Sequence, residues 1–346
     1  MKYCKEYWSD INEVIKNIPA VERLRGKCVM ITGATGLIGS SLADVLAYLN
    51  KEYGYSLHLI LAGRDEDRMK RRFQAVCDHS FAFYDAERAD RLDIKADPDL
   101  IIHTAGNAHP GLFSQQPVET LIGCIEGTRA VLDAAKDHGA RVCYISSSEV
   151  YGRKDDPQPY KERDFGFVDI LNPRSCYPTG KRAAETLCAA YISEFGTDTV
   201  IVRPGHIYGP NITETDSRAT AQFTRSACRG EDIVMKSAGL QRRSYCYSLD
   251  CASAILTVLL NGNAGQAYNI ANRDSQVSIR EFAEEVCKYT SRKVIFENPS
   301  DEEKRGYNLM DNSTLDPSLL ESLGWKACFD LHSGVKRTID LFRSGE

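Results

Sequence analysis

What the sequence lacks narrows its class. It has no C-x-x-C and no H-x-x-x-H pair, although it holds twelve cysteines and seven histidines, so no metal site is expected. No apolar stretch reaches the roughly 18 residues of a membrane-spanning helix, so no membrane partner is expected. Basic charge is not in excess: 43 Lys and Arg stand against 48 Asp and Glu, a net charge of -5, which argues against a nucleic-acid surface. The first residues, MKYCKEYWSDINEV, are charged from the second position and offer no apolar core of a secretory signal. The cysteines are scattered through apolar periodic segments, as small buried hydrophobes kept reduced would be, and a cytoplasmic protein is expected. There is no internal repeat, low-complexity tract or flexible linker.

What is present is ordinary for a globular chain: 346 residues, 42% apolar and 26% charged. Residues 1–25 read as an amphipathic N-terminal extension, with Trp8, Ile11, Val14, Ile15 and Ile18 on one helical face and Pro19 as the stop. Strands are predicted at 28–31, 57–62, 80–84, 100–104, 141–145 and 199–202, with helices at 37–49, 118–138 and 177–195. Strands alternating with helices of this length call for an α/β fold, a Rossmann-like doubly wound parallel sheet. The basic run Arg68 to Arg72 (RMKRR) reads first as a solvated helix face and second as a neighbour of a phosphate. After Pro204 turns multiply, and only 252–260 and 279–288 read as clear helices. The expected organisation is a dinucleotide-binding domain over 26–204 and a smaller, mainly substrate-binding domain over 205–346, with segments such as 250–271 returning to the first.

Directly after the first strand comes TGATGLIG (32–39), a turn that opens a helix. Gly33, Gly36 and Gly39 let backbone approach a pyrophosphate, which then lies on the N–H groups of Thr35, Gly36, Leu37 and Ile38 at the helix start. The second strand ends in Ala62-Gly63-Arg64-Asp65. NAD sites usually carry an acid there for the ribose 2′-OH, whereas Arg64 suits a 2′-phosphate, so the choice between NAD and NADP stays open. Tyr177-Pro-Thr-Gly-Lys181 sets a phenol and an ammonium at i and i+4 on one helix face. A nearby positive charge favours phenolate, so Lys181 is expected to lower the pKa of Tyr177 and make it a base. A further polar cluster, Ser146-Ser147-Ser148-Glu149, ends a buried strand where open parallel sheets bind ligands.

The G-x-x-G-x-x-G turn, the Y-x-x-x-K pair and a serine about thirty residues upstream of it together resemble the extended short-chain dehydrogenase/reductases, the NAD-dependent epimerase/dehydratase family. The resemblance covers roughly residues 27–330. It implies that Ser147 holds the substrate hydroxyl beside Tyr177. IIHTAG (101–106) is similar to the stretch beside the middle of the cofactor, which brings in Ala105 and Gly106, and Asp85 stands where the family has an acid on adenine. Ser147-Ser148-Glu149 looks like the Thr-Ser-Glu of UDP-glucuronate decarboxylases and GDP-mannose dehydratases. NPRSCYPTGKRAAETLCAAY (172–191) is most similar to the decarboxylase (UDP-xylose synthase) group. Arg243 matches an arginine that contacts the nucleotide-sugar diphosphate or acts near the sugar. His206 replaces an asparagine beside the substrate phosphates, and Cys124 replaces another in the helix at 118–138.

The resemblance thus implies an enzyme that oxidises C4 of a nucleotide-linked hexose with tightly bound, recycled NAD, followed by decarboxylation, dehydration or epimerisation. It also implies a homodimer through the helices at 118–138 and 177–195. A non-catalytic dinucleotide sensor is the alternative of another class, against which the Ser147, Tyr177 and Lys181 set counts.

Overall fold

The computed structural model describes residues 3–78, 81–85, 97–300, 307–308 and 310–344, with the side chains of 83–85 and 112 outside that description. Seven strands form one sheet: β1 (Cys28–Thr32), β2 (His58–Gly63), β3 (Phe81–Asp85), β4 (Leu100–His103), β5 (Arg141–Ile145), β6 (Thr199–Pro204) and, beyond a smaller sheet strand β7 (His206–Tyr208), β8 (Ile233–Met235) and β9 (Arg242–Tyr247), the edge strand β10 (Ala267–Ile270). The order is β10-β6-β5-β4-β1-β2-β3 and every pairing is parallel. Both faces are covered, which is why the strands read as unbroken apolar runs. Val29 and Ile31 of β1 belong to one core layer and Met30 to the other, the alternation a strand imposes.

Helices α1 (Lys5–Ile15), α2 (Leu37–Tyr53) and the later α8 (Ser248–Asn261) pack together on one face. Between them in the chain come α3 (Glu66–Phe73), α4 (Pro110–Gln115), α5 (Pro117–His138), α6 (Cys176–Phe195) and α7 (Ala219–Cys228). The long pair α5 and α6 covers the other face. The chain runs outward from β1 to β3, then crosses back to β4 on the far side of β1. That reversal opens a crevice at the carboxyl ends of β1 and β4, the place where such sheets bind ligands. After β6 a second layer forms: β9 carries β7, β11 (Gln276–Ser278) and a short strand at Asn312–Ser313, while β8 pairs with Val294–Phe296. Helix α9 (Ile279–Thr290), started by a Ser278/Glu281 capping box, and a C-terminal helix Leu331–Arg343 brace it.

Several expectations need correcting. The N-terminal helix ends at Ile15, short of Pro19, and Trp8 is only partly buried, stacked on Tyr3 and Tyr48. Among the described residues, three helices after 204 go beyond the sequence expectation: α7, a single turn at Ser318–Glu321 and the C-terminal helix, with threonines (Thr220, Thr224 and Thr338) among the buried residues of the two longer ones. The basic run is a helix face, but it is not wholly solvated. Arg72 reaches inward to Asp44 at 2.7 Å, where Tyr3, Tyr7 and Asn211 also donate. A buried carboxylate needs such partners, and this one ties the N-terminal extension to α2, α3 and the C-terminal part.

Candidate active site

The turn after β1 is built by contacts that exclude side chains. Gly33 has φ of 68°, and a Cβ there would lie 2.8 Å from the Ala105 backbone. A Cβ on Gly39 would meet the Gly33 carbonyl at 2.4 Å. Gly36 is exposed and caps α2, so the N–H groups of Leu37 and Ile38 open the helix toward the crevice. Thr32 and Thr104 stitch β1 to β4: Thr104 Oγ1 donates to the Thr32 carbonyl at 2.6 Å, and Thr32 Oγ1 pairs with His103 Nδ1 at 2.7 Å. Burial, reinforced by the Lys181 charge, holds the His103 pKa down at about 3, so the ring is neutral. Gly106 is exposed with φ of 152°, and a Cβ there would stand 4.0 Å from Lys181 Nζ. The glycine turn, the end of β4 and α6 therefore meet at one place.

At the end of β2, Arg64 is exposed and Asp65 caps α3, its carboxylate accepting the Arg68 N–H at 2.8 Å. Asp85 closes β3 opposite Gly63, and its side chain lies outside the described residues.

Ser147 follows β5 and caps a 3-10 turn over Ser148–Tyr151, accepting the Glu149 N–H at 3.2 Å. Its hydroxyl lies near enough to the Tyr177 phenol to favour the phenolate, and the Tyr177 ring stacks on Phe113 with centroids 4.4 Å apart. The relation expected between Tyr177 and Lys181 is different in the structure. Lys181 Nζ donates to the Ile145 carbonyl at 2.7 Å and lies over the Tyr144 ring, 6.0 Å from the centre of the Tyr177 ring. Burial and the Glu149 charge raise the Tyr177 pKa above its ordinary value, against the Ser147 hydroxyl and Arg218, so the phenol is protonated here. Lys181 has its own pKa lowered by burial. Spacing put both groups on one helix face but could not foresee the carbonyl that takes up the ammonium.

Ser148 is buried. Glu149 is gripped by Arg174, with Nη1 at 2.6 Å and Nη2 at 2.9 Å from the two carboxylate oxygens. Arg174 is buried over Phe113, at 5.1 Å from the ring centroid. The sequence reading missed this arginine, although it stands three residues before Tyr177 in the quoted NPRSCY. It also missed Arg218, whose charge bears on both Tyr177 and His206 and whose guanidinium is oriented by Asp216, with Nε at 2.9 Å. Only the fold brings the 216–218 loop here, so no local signal marked it.

His206 begins β7, edge-on to Tyr245 at 5.8 Å. Burial, with Arg243 and Arg218 adding to it, holds its pKa at about 3, a neutral ring with a buried Nδ1 that has no partner among the described residues. Arg243 is buried on β9, donating to the Arg242 carbonyl at 2.8 Å, and Glu149 lies near enough to favour its charge. Cys124 is buried on α5 against Gly180, where a Cβ would come within 3.0 Å, so it fills the contact between α5 and α6. No group of three or more His, Cys, Asp or Glu among the described residues could hold a metal ion.

The chain is similar to known proteins along most of its length. UDP-glucuronic acid decarboxylase 3 of Arabidopsis thaliana is 32% identical over 329 residues, 91% of this chain and 89% of its own. UDP-glucuronic acid decarboxylase 1 of Xenopus tropicalis is 31% identical over 324 residues, 92% of this chain and 72% of its own. Among solved structures, UDP-glucuronic acid 4-epimerase from Bacillus cereus, in complex with UDP-glucuronic acid and NAD, superposes with a TM-score of 0.76 at 21% identity, covering 92% of this chain and all of its own. The dTDP-glucose 4,6-dehydratase of Bacillus anthracis, in complex with NAD, gives 0.76 at 18% identity over 92% and 97%. With residues 29–271 matching that family's pattern, the chain belongs to the NAD-dependent epimerase/dehydratase family.

Proposed function

We propose that this protein is a UDP-glucuronate decarboxylase-like enzyme, working on a nucleotide-linked hexuronate with a bound nicotinamide dinucleotide. The observation that carries the reading is the convergence of Ser147, Tyr177 and a Glu149–Arg174 pair at the end of β5, beside the glycine turn. Similarity to decarboxylases over nine-tenths of the chain supports it. Residues 26–204, with 250–271, hold the dinucleotide in this reading, and the rest of 205–346 holds the sugar nucleotide.

The residues fit the dinucleotide: an exposed helix start at Gly36, a bare backbone at Gly106 and a buried ammonium at Lys181. Bound there, it would supply a hydride acceptor for C4 of the sugar and a hydride donor for the return step. Ser147 holds the C4 hydroxyl, and Tyr177 takes its proton once positive charge enters the crevice and offsets the Glu149 field. The 4-ketone so formed accepts the electron pair when the C6 carboxylate leaves as carbon dioxide, and C5 is then protonated. No acid is needed for a leaving hydroxide, which agrees with Ser148 beside Glu149. His206, Arg218 and Arg243 line the approach and offer donors to the nucleotide phosphates.

A 4,6-dehydratase is the second reading, favoured by Glu149 as a base for C5, and a C4 epimerase, which would leave Glu149 without that role, is the third. The test is to offer UDP-glucuronate and UDP- and GDP-hexoses and follow product mass. Loss of carbon dioxide supports decarboxylation, loss of water a dehydratase, and an isomer an epimerase. Turnover of none, with cofactor bound, favours the sensor. The twelve unpaired thiols suit a reducing cytoplasm, and no helix among the described residues is long and apolar enough to cross a membrane. Val118 and Ile122, exposed on α5 at 65% and 42%, suit burial against a second copy in a homodimer.

A further inference from the structure

We infer that the cavity between the glycine turn and α7 is a phosphate pocket for the adenosine ribose, so that the cofactor of this chain is NADP(H) in preference to NAD(H). The inference rests on the dinucleotide reading above and deepens it. The cavity holds about 290 Å³ and is lined by Thr35, Arg68, Arg72, Glu214, Arg225 and Arg229 among others. Its lining thus includes four arginines and one acidic residue. Two of them are engaged: Arg72 by Asp44, and Arg225 by the carbonyls of Thr213 and Asp216. The exposed side chains of Arg68 and Arg229 meet no carboxylate among the described residues. An excess of cationic donors in a concave site between two layers calls for an anion, and arginine forks suit phosphate.

Position says which phosphate. Thr35 immediately precedes Gly36, where α2 opens toward a pyrophosphate. β1 and β2 run parallel in register, Thr32 beside Ala62, so the turns that follow them lie at the same end of the sheet. A ribose that continues from that pyrophosphate toward β2 meets Thr35 on one side and Arg68 on the other. The group that would bind its 2′-OH in an NAD site is missing. Gly63 and Arg64 occupy the strand end, and the Asp65 carboxylate is turned onto the Arg68 N–H as the cap of α3. The run Arg68 to Arg72 thereby serves both readings its sequence suggested, helix face and phosphate neighbour.

Calorimetric binding of 2′,5′-ADP and 5′-ADP to the full-length protein tests this without catalysis. We expect 2′,5′-ADP to bind at least about tenfold tighter, one charge-assisted hydrogen bond's worth. Arg68→Ala or Arg229→Ala should erase that ratio while leaving 5′-ADP affinity unchanged. Nucleotide released on denaturation should be NADP(H). Equal affinities for the two ligands, or a preference that survives both substitutions, would overturn the inference. Inorganic phosphate binding at the cavity alongside equal nucleotide affinities would assign it to a free anion, with the same result. Failure of both nucleotides to bind would instead sink the dinucleotide reading itself.

Discussion

Replacing Arg174 by methionine keeps the packing over Phe113 but removes the guanidinium that holds Glu149. The cost can be bounded from the structure. Exposed ion pairs contribute about 0–1 kcal/mol, whereas removing one partner of a buried pair costs about 3–5 kcal/mol because a charge is left unpaired. Here the side chains are 9% and 18% exposed and joined by two short bonds. The pair sits near the buried limit, and Arg174→Met should lose about 3 kcal/mol in urea unfolding. Glu149→Gln should lose less, since an amide can still accept. The double mutant, measured beside both singles, should give a coupling energy of about 2 kcal/mol. Turnover in Arg174→Met should also fall, by about a hundredfold, because the freed carboxylate no longer holds its place beside the sugar. A coupling below about 0.5 kcal/mol would refute the reasoning, since the pair would then be a surface contact and not the anchor of Glu149.

Tyr177→Phe should fold and bind dinucleotide normally and lose about a hundredfold or more in turnover, and near-normal turnover would remove it as the base. Lys181→Met should leave the Ile145 carbonyl unpaired and cost about 1–3 kcal/mol in stability besides activity, as read by urea unfolding beside turnover. His103 is held neutral down to about 3, while unfolded it takes a proton below its ordinary 6.5. The folded state therefore loses stability as pH falls from 6.5, by about 2 kcal/mol at about pH 5 for this ring, with His206 adding a similar amount. Urea midpoints at neutral pH and near pH 5 check this, and His103→Gln should remove about half of the difference, leaving the part due to His206. Asp44→Ala strands Arg72 and two phenols, and a loss of about 3–5 kcal/mol with faster amide exchange in α1 is expected.

The α/β class was legible because its signals are local. Apolar runs of strand length alternate with long amphipathic helices, and the spacing of Gly33, Gly36 and Gly39 states what the backbone must do after β1. Tyr177 and Lys181 could be placed on one face of one helix for the same reason, since helical periodicity fixes i and i+4. Their relation to each other could not. The direction of the Lys181 ammonium depends on the Ile145 carbonyl, a strand away, and the Tyr177 pKa depends on Glu149 and on burial that only packing creates. Arg174 and Arg218 escaped notice because an arginine in a loop has no periodic signature, and its role follows from the partner that the fold delivers. The second layer after Pro204 was the least legible, with strands of two or three residues that exist only through their pairing with β9 or, for β8 and Val294–Phe296, with each other. Sequence determined what each segment forms, because torsional preference and burial pattern act over a few neighbours. Tertiary structure decided which charges meet, because electrostatic contacts join residues that the chain holds far apart.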